Sequence, residues 1–175
     1  MQRTRFNRWP CPVARSADLF GDAWTPIVMR EAFYGYRRFE DFQRRLGVSR
    51  ATLAQRLNRL VAEGMLEKVA YQAKPVRHEY RLTDKGRAFF DVIAVMWRFG
   101  DDWLFRRGRG PARLVDRATG SEIRPLVIDE ATGRRLDLRR VAVSILGEPA
   151  AVVAHRGAEP NSRSRPANHL PPTRR

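Results

Sequence analysis

Apolar side chains along this chain recur first at helical spacing, then in alternation, then at helical spacing again, and these changes of period lay out the elements. Val13, Ala17 and Phe20 predict a first amphipathic helix broken near Gly21. A second is expected from about Thr25, where Pro26 suits the opening turn, with Ile27, Val28, Phe33 and Tyr34 on its apolar face and Gly35 at its end. Trp24, at its start, reads as a packing anchor. Phe39, Phe42 and Leu46 give a short third helix, closed by the turn Gly47-Val48-Ser49. Ser49 is placed to cap a longer helix with Leu53, Leu57, Leu60 and Val61 on its inner side and Thr52, Gln55 and Arg59 on its outer side. Helix, glycine turn, longer helix is the pattern of a helix-turn-helix, which an ordinary helical corner can imitate.

The next segment changes period. Beyond Gly64, Leu66, Val69 and Tyr71 occupy strand positions, Gln72 to Val76 form a polar tip containing Lys74 and Pro75, and Tyr80 and Leu82 alternate inward on the way back. A hairpin with a basic tip directly after such a helix predicts a winged helix-turn-helix, mainly α with a β-wing in an α+β arrangement. Thr83 or Asp84 then caps a last long helix whose apolar positions include Phe89, Ile93, Met96, Trp97, Trp103 and Leu104. That stripe is too long and too aromatic for a small core to cover, and with Trp9 it is expected to form a two-fold dimer surface, packing within the monomer being the alternative.

Composition then sets boundaries. Residues 1–10, with Arg3, Arg5 and Arg8 and a proline-flanked end, read as a flexible, extended basic arm, and 11–105 as the winged-helix and dimerisation domain. Residues 106–111 form a basic, glycine-rich linker. In 112–148, Asp116-Arg-Ala-Thr-Gly120 recurs as Asp129-Glu-Ala-Thr-Gly133, and an aspartate followed by glycine between short apolar runs is hairpin chemistry. A small three-stranded β-meander at about 112–116, 121–128 and 134–145 is therefore expected. Its turns resemble the knuckles of a zinc ribbon, with Ala-Thr where cysteines would stand, so no zinc is expected. Residues 155–175, rich in Pro, Asn, Ser and Arg, predict a disordered basic tail.

Charge and chemistry narrow the function. Thirty-four Lys and Arg against nineteen Asp and Glu leave +15, with the excess spread along the chain, and that favours an anionic partner, nucleic acid first. No apolar run approaches the roughly 18–20 residues of a bilayer span, so no membrane is expected and the cytoplasm is the expected compartment. One cysteine, Cys11, allows no intrachain disulfide, and with three scattered histidines it makes a metal site an unfavoured reading. There is no glycine-rich phosphate loop, nucleophile elbow or metal-spaced cluster. The expectation is a protein that is not an enzyme, with no catalytic residues and no cofactor.

Cys11-Pro12, Gly21-Asp-Ala-Trp24-Thr25, Arg37-Arg38-Phe39, Val48-Ser49, Leu53-Ala-Gln55-Arg56-Leu57, Leu60-Val-Ala-Glu63-Gly64, Pro75-Val-Arg77-His-Glu-Tyr80 and Leu82-Thr83-Asp-Lys-Gly86, in that order, resemble the HxlR family of bacterial transcription regulators, near the MarR and ArsR winged-helix groups. The resemblance covers roughly residues 11–105. It implies a homodimer on palindromic or repeated operator DNA, acting as repressor or activator, with repression the favoured sense. It also implies dimer contacts from the N-terminal region and the last helix, and places at Cys11 the cysteine that some relatives use to sense oxidants or electrophiles. Carried onto this sequence, Arg50, Thr52, Gln55 and Arg56 are the candidate base readers. Arg59 and Ser49 fall to phosphate, Lys74 and Arg77 on the wing to phosphate or minor groove, and Arg37 and Arg38 to DNA contact or solvent. A small-molecule effector stays open, since a dimer cavity needs no motif. The rival reading is an RNA-binding or ribosome-associated basic winged-helix protein.

Overall fold

The computed structural model describes residues 5–105 and 110–141, and the chain divides into two compact units, Met1–Met96 and Trp97–Arg175. In the first unit the elements run α1 (Pro12–Phe20), α2 (Trp24–Phe33), α3 (Phe39–Leu46), α4 (Arg50–Ala62), β1 (Leu66–Ala73), β2 (Val76–Leu82) and α5 (Asp84–Ala88), and α6 (Phe90–Trp103) begins there. This is a winged helix-turn-helix of the α+β kind.

Each boundary has a local cause. Pro12 opens α1, and the Sγ of Cys11 accepts the Ala14 N–H at 3.5 Å. Asp22 secures the start of α2, its Oδ1 accepting the N–H groups of Trp24 and Thr25 at 3.0 Å and its Oδ2 the Thr25 hydroxyl at 2.6 Å. Gly47, at φ 61°, ends α3 in the left-handed conformation that L side chains resist. Ser49 then caps α4, accepting the Thr52 N–H at 3.2 Å.

The core lies where α2, α3 and α4 meet the root of the hairpin: Val28, Met29, Phe42, Leu53, Leu57, Leu60, Met65 and Leu66 are each at most 1% exposed. The inner face of α2 is Val28, Met29 and Ala32 rather than the expected set ending in Tyr34. Tyr34 is the C-terminal cap, where the chain turns into Gly35, and its ring is 47% exposed beside Arg30. Glu31 is buried with charge on both sides: Arg30 Nη2 donates to its Oε1 at 2.5 Å and Arg45 Nε to its Oε2. Arg45 also stacks on Tyr36, 4.3 Å from the ring centre, so the carboxylate fixes α3 against α2.

The hairpin is antiparallel, pairing Leu66 with Leu82 at its root and Ala73 with Val76 at its tip, with an irregularity between Ala70 and Gln72 that leaves Tyr71 unpaired. The polar tip is tighter than the expected Gln72–Val76, since only Lys74 and Pro75 separate the strands. Arg37 and Arg38 add an edge to β2, which the hydrophobic pattern does not announce: the Tyr80 N–H donates to the Arg37 carbonyl at 2.8 Å and Arg38 bridges to Glu79.

Two further differences from the sequence reading concern the ends of this unit. The single long C-terminal helix is divided at Phe89. Gly86 lies so close to the residue that leads into β1 that a Cβ there would stand 2.0 Å from the Met65 carbonyl oxygen. Phe89 and Ile93, expected on the dimer surface, face the core, Phe89 packing on Phe20 with ring centres 4.8 Å apart. Residues 5–10, expected to be extended, make a turn instead. The Trp9 N–H donates to the Phe6 carbonyl at 3.0 Å, the two rings meet edge to face, and Arg15 Nε donates to the Trp9 carbonyl at 2.6 Å.

In the second unit the repeated aspartates do the work read from the sequence. Asp116 Oδ1 accepts the N–H groups of Ala118 and Thr119 at 2.9 and 2.8 Å, and Asp129 Oδ1 that of Ala131 at 2.9 Å, while Gly120 and Gly133 take φ near 70° and 66°. The turns form, but the expected three-stranded meander does not among the described residues. Each turn closes one isolated bridge, Val115 with Glu122 and Ile128 with Arg135. Pro125 lies between the two, has no N–H to give a ladder, and its carbonyl instead accepts from Arg98 at 2.7 Å. The end of the third expected strand, most of the linker and the tail 155–175 lie outside the described residues.

Candidate nucleic-acid interface

The arrangement of α4 decides which side chains can meet a ligand. Leu53, Leu57 and Leu60 bury one side, which turns Ala51, Gln55, Asn58 and Ala62 outward at helical spacing. Gln55 was named from the sequence and Asn58 was not, although it lies three residues on along the same face. The two alanines beside them keep the surface low, so a base edge can come close to the amides.

The front of α4 is partly engaged with its own surroundings. Ser49 and Thr52 share a hydroxyl hydrogen bond of 2.9 Å. Arg50 lies over the Phe39 ring at 5.0 Å and donates to Gln43 Oε1 at 3.3 Å, but it remains exposed and can swing forward.

Arg56 and Arg59, the other two arginines of α4 read as DNA contacts, turn back toward the loop between α1 and α2. Arg56 Nε is 3.5 Å from Asp22 Oδ1, and Arg59 Nη1 is 3.9 Å from Asp22 Oδ2. Arg59 Nη2 also donates to the Asp18 carbonyl. Their side chains are only 22% and 20% exposed. Arg56 thus faces Asp22 rather than standing free on the outer face of α4. Burial acts to raise the Asp22 pKa, but the hydrogen bonds from Thr25, the Arg56 charge and the Trp24 N–H outweigh it and hold the carboxyl below its ordinary value. Arg5, Gly21, Asp22, Gln55, Arg56 and Arg59 together line an open concavity of roughly 540 Å³. Asp22 escaped the sequence reading of the site, although it carried a signal in its capping position before Trp24-Thr25.

On the wing, Lys74 and Arg77 are exposed, as are Arg37 and Arg38 at its edge. Arg38 stacks on Tyr71, 4.7 Å from the ring centre, so one cation is held on the wing by an aromatic plane. The candidates named from the sequence thus fall into four groups: the capped front of α4, Gln55 on its outer face, the clamped pair Arg56 and Arg59, and the wing with its edge. Helix face and wing together present amides and cations, the groups that read base edges and phosphates.

Apart from the core residues Phe89 and Ile93, the proposed dimer positions are at least partly accessible. Trp97 is half-buried, and Trp9, Met96, Trp103 and Leu104 are 53%, 48%, 55% and 64% exposed. Val95 and Phe99, exposed on the same face of α6 as Met96 and Trp103, were missed. Cys11 is half-buried at the start of α1.

Residues 19–107 match the family described as HxlR-like helix-turn-helix. Rv3095, an uncharacterized HTH-type transcriptional regulator of Mycobacterium tuberculosis (strain ATCC 25618 / H37Rv), is 40% identical over 129 residues, 74% of this chain and 82% of its own. The crystal structure of PA1607 matches with a TM-score of 0.74 at 37% identity, over 81% of this chain and 99% of that one. PA1374 from Pseudomonas aeruginosa matches with a TM-score of 0.57 at 33% identity, over 81% and 96%.

Proposed function

This chain belongs to the HxlR-like helix-turn-helix family of transcription regulators, and from that premise we propose that it binds operator DNA as a homodimer and acts there, in the cytoplasm, as a repressor. The observation that carries the reading is the outer face of α4, where Gln55 and Asn58 stand exposed between alanines, behind a serine-capped N-terminus and beside a cationic wing. Amides on such a face pair with adenine in the major groove, while Lys74, Arg77, Arg37 and Arg38 meet backbone. The exposed apolar face of α6 supports the homodimer. An oxidant or electrophile response belongs to Cys11, which with no second cysteine can form an adduct or an intersubunit disulfide but no intrachain one. Diamide treatment checks this: operator affinity should change in the wild type and not in Cys11→Ser.

The test of DNA binding is affinity for the chain's own promoter against scrambled duplex and structured RNA, over a salt series. Gln55→Ala should weaken promoter binding by about 1–3 kcal/mol and leave scrambled duplex nearly unchanged. Lys74→Ala should weaken both alike and reduce the salt slope by about one. Tighter binding to structured RNA than to either duplex would replace this reading with an RNA-binding one.

A further inference from the structure

We propose that Asp22 is a specificity-determining positioning residue, a carboxylate that occupies Arg56 and Arg59 in the free protein and competes with backbone phosphates for them. The inference rests on the DNA-binding reading and adds to it a built-in brake on sequence-independent binding. Five observations carry it. Asp22 is fixed from the other side by three hydrogen bonds at the start of α2, from the N–H groups of Trp24 and Thr25 and the Thr25 hydroxyl, so it cannot follow the arginines when they move. Both guanidinium groups lie within 4.0 Å of its carboxylate without a hydrogen bond to it, at 3.5 Å for Arg56 and 3.9 Å for Arg59. The Arg56 Nε–H is buried and has no acceptor among the described residues, so the nearby carboxylate attracts this group without accepting its proton. The hydrogen-bonded pair of Arg30 and Glu31, at 2.5 Å, shows what a permanent arrangement in this protein looks like. Finally, the cluster opens on a concavity with Arg5 on its rim and Gln55 on its wall, placing a phosphate site beside the exposed amide.

The chemistry follows from exchange. A phosphate entering the concavity offers oxygens that accept from the Arg56 Nε–H, which Asp22 attracts but does not satisfy. To engage it, Arg56 must leave a fixed carboxylate, and Arg59 must leave both that carboxylate and the Asp18 carbonyl to which its Nη2 donates, so random DNA loses part of the attraction that a free arginine pair supplies. Operator DNA, docked by Gln55 and Asn58, can meet that requirement with its base contacts. Asp22 thereby lowers non-specific affinity more than specific affinity, and widens their ratio.

Asp22→Asn separates this role from the cap, because asparagine serves as well as aspartate at a helix N-terminus. In a salt series on scrambled duplex, Asp22→Asn should steepen the dependence of log K on log salt by about one to two. It should also raise non-specific affinity about three- to tenfold at low salt and narrow the promoter-to-scrambled ratio by a similar factor. Adding Arg56→Gln and Arg59→Gln should erase the gain. A purely structural role predicts instead that Asp22→Asn weakens both DNAs together or changes neither slope nor ratio, and either result overturns the proposal. A DNA-free arm uses inorganic pyrophosphate, followed by the Arg56 and Arg59 Nε–H signals in nuclear magnetic resonance spectra. Asp22→Asn should bind it at least threefold more tightly than the wild type. If that gain appears in a protein that binds no duplex DNA, the clamp stands and the DNA reading falls; equal pyrophosphate affinities remove the clamp.

Discussion

Gly86 shows how far one residue's absence of a side chain reaches. Its backbone lies where a Cβ would meet the Met65 carbonyl at 2.0 Å and the Leu82 side chain at 3.3 Å, so glycine lets α5 close onto the hairpin root. Gly86→Ala must push these elements apart, and stability in urea should fall by roughly 1–3 kcal/mol with an unchanged m-value. A midpoint equal to the wild type's would show that the contact yields without loss. Asp116 is the second case. Hydrogen bonds from the Thr119 N–H and hydroxyl and from the Ala118 N–H stabilise its charged form and hold its pKa below the ordinary value, against a smaller opposing effect of burial. A carboxyl lowered in the folded state lends stability above its unfolded pKa and loses it as pH falls through the folded one. The first repeated turn should therefore be unaffected by pH in the neutral range and loosen only below about pH 4. Carbonyl-carbon resonances of Asp116, followed on acidification, check this; titration at or above the ordinary value would contradict it.

At the scale of the element, α4 depends on its first turn. Ser49 alone accepts the Thr52 N–H, and the face that carries Gln55 and Asn58 is aimed by the same turn. Ser49→Ala should lower stability by about 1 kcal/mol. It should also weaken promoter binding, because the capped N-terminus is where a phosphate would lie. Ser49→Asp separates the two effects: it restores the cap and stability but places a negative charge at that phosphate, so DNA binding should stay weak. Recovery of binding together with stability would remove Ser49 from the interface. The wing obeys a different logic. Its strands follow from alternation in the sequence, but its third edge comes from Arg37 and Arg38, two exposed arginines whose backbone, not their side chains, pairs with β2. Polar residues at a sheet edge give no periodic signal, which is why this part of the wing was not legible.

At the scale of the whole molecule, α6 leaves an apolar face exposed, and the proposed homodimer would cover it. Val95, Met96, Phe99 and Trp103 are each at least 41% exposed and recur at helical spacing. Phe99→Glu places a charge in their midst and should shift a dimer to monomer in sedimentation, raising the dissociation constant more than tenfold, with the fold retained. An unchanged sedimentation coefficient would move the interface elsewhere. Of the expected dimer stripe, Phe89 and Ile93 lie in the core, while Val95 and Phe99 stand exposed on the same helix, because a helical pattern gives the angle between residues but not which side the core lies on.

Local rules were sufficient for the elements. Capping residues, left-handed glycines and a change from helical to alternating apolar spacing act within a few residues of each other, and so the helix-turn-helix, the hairpin and both aspartate turns could be read directly from the chain. The resemblance to a regulator family rested on those same segments. What the chain alone left open were meetings between distant residues. That Arg56 and Arg59 face Asp22, that Arg45 reaches Glu31, that Gly86 meets Met65 and that Arg98 donates to the Pro125 carbonyl are set by packing. The charge of an arginine is written in the sequence, but whether it faces solvent, a phosphate or a carboxylate fixed on another helix is decided only when the core has brought those helices together.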